Sequence, residues 1–221
     1  MVRVAVSIGS VAAVLIVGLP PGAEGLPGYS YAGGASRSAV GAVAATVTAF
    51  DLAHVRAGHV AAWVGVGGPG QGLAGDDEWI QVGLNGFAEA STGTIYLEVK
   101  RGSFYRYAAL LPGVGLGEPH RIAVVESASR PGWWRAFVDG APASPLLLLP
   151  GSHGKWQAQI VAENWTAGSP ACNAFAFGFA DITVRYTFSR TLTGLTQPLT
   201  FAQGGISLSR SGTSFTTRRR C

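Results

Sequence analysis

Polar and aromatic side chains alternate with aliphatic ones in three short runs of the sequence, at residues 78–84, 94–100 and 156–163. In an extended strand successive side chains point to opposite faces, so each run would present one aliphatic face and one mixed face. The mixed faces carry rings, amides and carboxyls, namely Trp79, Gln81, Tyr96, Glu98, Gln157, Gln159 and Glu163. This composition is typical of a binding groove on a sheet, the alternative being a solvated outer face that holds aromatics.

Other kinds of catalytic site receive little support. No serine lies in a Gly-x-Ser-x-Gly motif, and the four histidines, at positions 54, 59, 120 and 153, are dispersed, which favours structural or surface roles. Asp76, Asp77 and Glu78 form an acidic cluster before a predicted strand, and such a cluster is either solvated or a calcium site. Asp76 and Glu78 also have the alternate spacing of a glycosidase carboxyl pair. No cysteine or histidine spacing indicates zinc, so no metal or cofactor is expected.

The rest of the chain predicts an all-β protein. From about residue 43 onwards, short apolar runs alternate with clusters of Gly, Pro, Asn and Asp, and no helical periodicity appears. Such evenly spaced runs favour a β-sandwich or barrel. Residues 191–203 are expected to form a surface loop. The predicted strands cover residues 43–50, 59–66, 78–84, 94–100, 105–111, 120–126, 133–138, 156–163, 174–180, 182–188 and 206–209.

Length and composition favour one exported domain. The chain has 221 residues, of which 48% are hydrophobic and 13% charged, enough for a single core. Residues 1–25 have the pattern of a signal peptide, because Arg3 precedes an apolar run of about 16 residues, which is short for a membrane span. An uncleaved anchor is the alternative. Residues 26–42 are expected to be a flexible lead-in, and residues 43–221 the β-sandwich domain of a secreted monomer with no membrane contact after signal removal.

Charge and cysteines limit the partners. The net charge is +4, but the basic residues are scattered and cluster only at residues 218–220, so a nucleic-acid partner is not expected. Cys172 and Cys221 are the two cysteines, and an exported chain can join them in one disulfide. The alternative is that the terminal cysteine stays free.

Several motifs occur in the order found in the glutamic peptidase (eqolisin) family. Residues 62–68 read Ala-Trp-Val-Gly-Val-Gly-Gly, residues 79–83 read Trp-Ile-Gln-Val-Gly, and residues 158–163 read Ala-Gln-Ile-Val-Ala-Glu. They resemble the family's Trp-Val-Gly-Ile-x-Gly, Leu/Ile-Gln-x-Gly and Ala-Glu-Trp-Ile-Val-Glu. Residues 179–184 and 206–215 resemble its late strands. The similarity covers roughly residues 43–216.

The resemblance implies a fold and a chemistry. The fold is a two-sheet antiparallel β-sandwich of the concanavalin A-like lectin/glucanase jelly-roll type. The activity is that of a secreted acid endopeptidase acting on polypeptides, in which Glu163 takes a proton from water and passes it to the leaving amine. Gln81 would stabilise the oxyanion, a contribution of about 3 kcal/mol for comparable donors. Because a glutamate base must be ionised and its ordinary pKa is about 4.3, activity is expected in acid. The expected substrate-binding residues are Trp63, Trp79, Tyr96 and Glu98.

A non-catalytic carbohydrate-binding module is the second hypothesis. Residues 118–140 resemble a hairpin of laminin-G-type and other lectin-like sandwiches, a feature that supports the fold without deciding the chemistry. In that case Trp63, Trp79 and Tyr96 would be stacking platforms for sugars, and Glu163 would have no role.

Overall fold

The computed structural model describes residues 28–221, so the predicted signal peptide at residues 1–25 lies outside the described residues. Within this range no helix is long and apolar enough to cross a membrane. The strands in chain order are β1 (Tyr29–His54), β2 (His59–Gly68), β3 (Glu78–Phe87), β4 (Gly93–Arg101), β5 (Phe104–Val114), β6 (Pro119–Glu126), β7 (Trp133–Val138), β8 (Ala141–Pro142), β9 (Leu147–Leu148), β10 (Gln157–Trp165), β11 (Ala174–Tyr186), β12 (Thr193–Gly194), β13 (Leu199–Ala202), β14 (Ser207–Ser211) and β15 (Ser214–Arg219).

Two antiparallel sheets pack face to face, and β1 belongs to both. Its first part, as far as Ala39, pairs with β10 and β13, and its second part, from Val40, pairs with β11 and β6. We call the first sheet, with strand order β5-β4-β3-β2-β10-β1-β13, the site sheet. The second, with order β14-β15-β11-β1-β6-β7, is the back sheet. The predicted all-β sandwich is therefore confirmed.

The core lies between the sheets and is built from the predicted aliphatic faces. Ile80, Val82 and Leu84 on β3 are fully buried, and so is Ile160 on β10. Phenylalanines of β11 fill the facing side. Each such side chain contributes roughly 1.5–3 kcal/mol by burial. Because a shift of one residue would exchange the two faces of a strand, this core fixes which residues of β3 and β10 face away from it.

The prediction of a flexible lead-in at residues 26–42 is wrong for residues 29–42, which form the first half of β1. The segment is rich in glycine, alanine and serine, a composition that is also typical of linkers. In this protein the small residues allow neighbouring strands to approach closely. A Cβ added to Gly33 would lie 2.1 Å from the Ile160 carbonyl oxygen of β10. Tyr31 and Ala32 are buried. The backbone hydrogen bonds of this segment come from β10 and β13, which lie far away in sequence.

Two further boundaries differ from the predictions. The expected loop at 191–203 contains the short strands β12 and β13. The two strands predicted at 174–180 and 182–188 are one strand, β11, which continues through Asp181. Asp181 has a φ of 51°, and the pairing register of β1 with β11 shifts nearby, as in a β-bulge.

Cys172 and Cys221 form a disulfide with an S–S distance of 2.03 Å and a sequence separation of 49. It ties the end of the chain to the segment before β11, in the back sheet. Closing a loop of this length stabilises a fold by about 4 kcal/mol in the chain-entropy model.

Candidate active site

Gln81 and Glu163 lie on the same face of the site sheet. Gln81 is on β3 and Glu163 on β10, and β2 runs between these strands and pairs with both. Across β2 they lie opposite Gly65 and Ala61, respectively. The two residues are separated by about 10 Å across the strands and, because Gly65 and Ala61 are four residues apart, by about 13 Å along them. Both residues line one cavity of ≈ 390 Å³.

The carboxylate of Glu163 is held by a donor at each oxygen. Nε2 of His59 lies 2.9 Å from Oε1, and Nε1 of Trp63 donates to Oε2 at 3.1 Å. When Glu163 is ionised it can only accept hydrogen bonds, so in that form Nε2 of His59 is the donor. The ring of His59 is packed between Phe87 and Trp165. Glu163 therefore has a fixed orientation with respect to β2.

The contact with His59 was not predicted, because all four histidines were expected to be structural or surface residues. The signal was present in the alternation of β2, since His59 and Trp63 are four residues apart and so share a face. The pairing of β2 with β10 brings that face to Glu163. This pairing joins residues about a hundred positions apart, and local sequence does not encode it.

The amide of Gln81 is held by Tyr96. Its Nε2 donates to the Tyr96 hydroxyl at 3.2 Å, and Tyr96 in turn stacks on Tyr107. A primary amide has two N–H groups, so one remains for a ligand in the cavity. Tyr96 is only 3% exposed, which leaves its ring no open face. It was expected to contact substrate, but its visible role is to support Gln81.

Glu98 is the second carboxyl of the cavity. It lies directly opposite Gln81 in the β3–β4 register, and the indole N–H of Trp79 donates to its Oε1 at 3.0 Å. Both Glu98 and Trp79 line the cavity, as the sequence predicts. Burial raises the pKa of Glu98, and the negative charge of Glu163 raises it further, while the Trp79 hydrogen bond opposes both effects.

Tyrosines from the two flanking strands complete the walls. Tyr29 and Tyr31 come from β1, and Tyr105 comes from β5. Tyr31 lies opposite Glu163 in register, and Tyr29 stacks on both Tyr31 and Trp165. Burial raises the pKa of Tyr29 and of Tyr105 to about 12 and raises that of Tyr31 as well, so all three are neutral phenols in acid. The sequence prediction does not include the β1 tyrosines, because the composition of their segment indicates a linker.

Gln159 is a further residue of the cavity, which the alternation of residues 156–163 places on the mixed face but to which the family resemblance assigns no role. It lies on β10 on the same face as Glu163, and its Nε2 donates to the carbonyl of Gly67 at 2.7 Å. Gly67 has a φ of 85°, a conformation that favours glycine. This hydrogen bond from Gln159 holds the last residues of β2 at the wall of the cavity.

The acidic cluster at residues 76–78 is not part of the site. Glu78 is only 2% exposed and accepts the N–H of Gly151 at 3.1 Å. It alternates with Gln81 in β3 and so points towards the core side, like Ile80. The expectation of a solvated cluster therefore fails for Glu78, and so does a glycosidase pair facing the groove. Among residues 28–221, no three His, Cys, Asp or Glu side chains are grouped to hold a metal ion.

The chemical character of the cavity limits its ligands. Its lining contains two carboxyls and one histidine but neither lysine nor arginine. A polyanion would therefore meet unfavourable charge and no guanidinium or ammonium partner. Trp63 is 5% exposed and uses its N–H on Glu163, so neither it nor Tyr96 is free as the predicted sugar-stacking platform. Trp79, Tyr29 and Tyr105 are the accessible rings.

Comparisons with known proteins agree on the fold. No protein-family model matches this sequence, and no curated protein is a detectable relative of it. Among solved structures, scytalido-glutamic peptidase with a peptide-based transition-state analogue is similar with a TM-score of 0.58 and 18% identity over 86% of this chain and 98% of that chain. SCP-B, a member of the eqolisin family in complex with a tripeptide, has a TM-score of 0.53 and 17% identity over 86% and 98%.

The fold is also similar to enzymes that act on a different class of substrate. An alginate lyase from Pseudomonas aeruginosa matches with a TM-score of 0.51 and 16% identity, over 67% of this chain and 65% of that chain. At such low identities the likeness shows the fold and leaves the reaction undecided. The chain thus has the β-sandwich fold of glutamic peptidases and alginate lyases, and its activity must be inferred from its own side chains.

Proposed function

We propose that this chain is an exported, monomeric acid endopeptidase of the glutamic type. The observation that carries the proposal is the pair formed by Glu163 and Gln81. Glu163 has one donor on each oxygen, Gln81 has one amide N–H to spare, and both line the same cavity. A base and a neutral oxyanion donor on one surface are what hydrolysis of an amide by water requires.

The reaction begins with a water molecule between Glu163 and the scissile carbonyl. Glu163 accepts a proton from the water as its oxygen bonds to the carbonyl carbon. The carbonyl oxygen becomes an oxyanion and receives the spare N–H of Gln81. A neutral amide donor of this kind lowers the barrier by roughly 3–4 kcal/mol. The nitrogen then needs a proton before the C–N bond breaks, and the protonated Glu163 is one source of it.

The surroundings of the pair suit a polypeptide. The accessible rings of Tyr29, Trp79 and Tyr105 provide apolar contacts for side chains, and the buried polar groups provide orientation. Polyuronates, which carry a negative charge on every sugar, are disfavoured by Glu98 and Glu163. The eqolisin similar to this chain is described in complex with a tripeptide, which supports the same substrate class.

Cleavage of casein between pH 3 and 5, with and without pepstatin, tests the proposal. We expect hydrolysis that is insensitive to pepstatin and absent in Glu163→Gln, which keeps the size of the side chain but cannot accept the proton. Glycan binding by both proteins without any hydrolysis would instead support the carbohydrate-binding hypothesis. Export is tested separately, by N-terminal sequencing of protein from the culture medium. A first residue of Met1 would contradict removal of a signal peptide.

A further inference from the structure

We propose that Glu98 is a second catalytic residue, the acid that protonates the leaving nitrogen of the scissile peptide. This inference rests on the peptidase function proposed above and divides between two carboxyls the proton transfers that Glu163 would otherwise perform alone. It assigns a chemical role to a carboxyl that the sequence motifs indicate only as a substrate contact.

Strand order places Glu98 where such an acid is needed. The order β10-β2-β3-β4 puts Gln81 between Glu163 and Glu98 along the sheet. A carbonyl whose oxygen is held by Gln81 therefore has Glu163 on one side and Glu98 on the other. Water activated by Glu163 attacks from the β10 side, and the amine leaves on the β4 side. Because Gln81 and Glu98 are paired in register, their Cβ atoms are about 5 Å apart, which keeps the acid close to the reacting carbon.

The two carboxyls have different hydrogen-bond partners. Glu163 accepts hydrogen bonds from His59 and Trp63 on its two oxygens. Glu98 accepts the indole N–H of Trp79 on Oε1. Its second partner is the hydroxyl of Tyr105, which can donate to an ionised Glu98 or accept the proton of a neutral one. Two nearby carboxyls in unlike surroundings are the usual arrangement for an acid and a base in one site.

The charges that face Glu98 support its protonated state. Burial and the neighbouring Glu163 raise the pKa of Glu98, whereas Trp79, Tyr105 and His59 lower it by smaller amounts. The tyrosines around it are neutral in acid. The titratable and charged groups facing Glu98 from the strands around it and from its own strand are Glu163, His59, Tyr29, Tyr31, Tyr105, Tyr107, Tyr96 and Lys100.

The proton balance closes over one turnover. Water gives one proton to Glu163 and its hydroxyl to the carbonyl carbon, forming a tetrahedral intermediate. Glu98 gives its proton to the nitrogen, and the C–N bonding electrons leave with the amine as the oxyanion reforms the carbonyl. The products are a carboxylic acid and an amine. Glu163 is then protonated and Glu98 ionised, and one proton transferred from Glu163 to Glu98 through water restores the starting state.

Paired substrates test the proposal in the full-length protein. One is a peptide, and the other is a depsipeptide of the same sequence with an ester in place of the scissile amide. An alkoxide leaves with far less need of protonation than an amine. In Glu98→Gln we therefore expect kcat on the amide to fall by roughly 100-fold or more, and kcat on the ester to fall by less than about fivefold. KM should be nearly equal for the two proteins, because the substituted glutamine keeps the size of the side chain and can accept the Trp79 N–H.

A second variant gives a readout that a purely structural role would not change. Trp79→Phe removes the donor that lowers the pKa of Glu98, so the alkaline limb of kcat/KM on the amide should move to higher pH. This variant also keeps the proposal falsifiable if Glu98→Gln does not fold. An unmoved alkaline limb would overturn the assignment of that limb to Glu98.

The outcomes separate this proposal from the one on which it rests. Equal losses on amide and ester in Glu98→Gln, or no loss on either, would overturn the role of Glu98 while wild-type hydrolysis still supports a peptidase. If the wild-type protein cleaves neither substrate, the peptidase function fails and the role of Glu98 fails with it.

Discussion

The indole N–H of Trp63 donates to Oε2 of Glu163 across two adjacent strands, at a distance of 3.1 Å. Trp63 is buried, so water cannot reach Oε2 of Glu163 in place of the indole N–H unless the neighbouring side chains move. The Cβ of Trp63 lies beside Gly83, where an added Cβ would approach it to 2.6 Å. The carboxylate of Glu163 is therefore oriented by a buried, closely packed side chain of the adjacent strand.

Trp63→Phe should keep the fold and impair the reaction. A lost hydrogen bond to a buried charged group corresponds to about 1–3 kcal/mol, so we expect kcat to fall roughly tenfold to a hundredfold. Steady-state kinetics on a peptide substrate measures this loss. Trp133→Phe, on β7 of the back sheet, makes the same chemical change away from the cavity and serves as control. Equal losses in both variants would mean that the effect is not due to Glu163.

Gln81→Ala should lower kcat by roughly 100-fold or more and leave KM within about threefold, because an oxyanion donor acts mainly in the transition state. Gln157→Ala is the matched control, since it removes the same amide from an exposed position of β10. A change confined to KM would indicate that Gln81 binds substrate and does not stabilise the oxyanion.

Substitutions of His59 should divide according to whether they keep a donor for Oε1 of Glu163. His59→Phe removes the donor, and we expect kcat to fall about tenfold or more, in line with a lost charge-assisted hydrogen bond. His59→Gln offers an amide N–H and should recover most of that activity. The comparison uses kcat at the optimum pH of each variant. If both variants are equally impaired, the ring packing against Trp165 is what matters.

Thermal stability should decline between weakly acidic and neutral pH. Burial raises the pKa of both Glu98 and Glu78 in the folded protein. Their protonated forms therefore favour the folded state, a contribution that is fully present below the unfolded pKa of about 4.3 and is lost as pH rises through the folded pKa. The pKa of Asp139 is lowered in the folded protein, so the stability that its ionised form contributes is lost only as pH falls below about 4.

The part due to Glu98 can be isolated by measuring Tm for the wild type and Glu98→Gln at several pH values. The glutamine does not titrate, so the Tm of the wild type relative to the variant should decrease from pH 4 to pH 7. A difference that stays constant or increases over this range would contradict a raised pKa at Glu98.

Reduction of the Cys172–Cys221 disulfide should destabilise the protein without impairing the site. The bond joins two cysteines with a sequence separation of 49, and its loss should cost up to about 4 kcal/mol of unfolding free energy. Cys172→Ser/Cys221→Ser should show the same loss in denaturant titrations and keep its kcat at low temperature. A fall in kcat below the unfolding transition would contradict the independence of the tail and the cavity.

Local periodicity was sufficient to predict much of this architecture. Alternation in residues 78–84 and 156–163 placed Ile80 and Ile160 in the core and Gln81 and Glu163 opposite them, as found. The period of two residues fixes the face of a strand but not the identity of its neighbours. For this reason the partners of Glu163 could not be predicted, although each of them lies on a predictable face.

The first half of β1 shows the corresponding limit of composition. Its glycines and alanines are compatible with both a linker and a tightly packed strand, and the distinction depends on distant partners in β10 and β13. For the same reason, the positions of Tyr29 and Tyr31 in the cavity wall could not be predicted from the sequence. Tyr96 lies on the predicted face, but its burial depends on Tyr107 of β5 covering its ring, and that contact is not encoded in the local sequence.

The sharing of β1 between the two sheets makes the proposed site sensitive to where the chain begins after the predicted signal peptide is removed. Cleavage at the predicted position near residue 25 would leave only residues 26–28 before Tyr29, the first residue of β1. A protease that trimmed about ten residues further would remove two tyrosines from the cavity wall and expose the edge of β10, the strand that carries Glu163. Heterogeneous processing would then produce an inactive, aggregation-prone subpopulation whose back sheet, with its disulfide, is still intact.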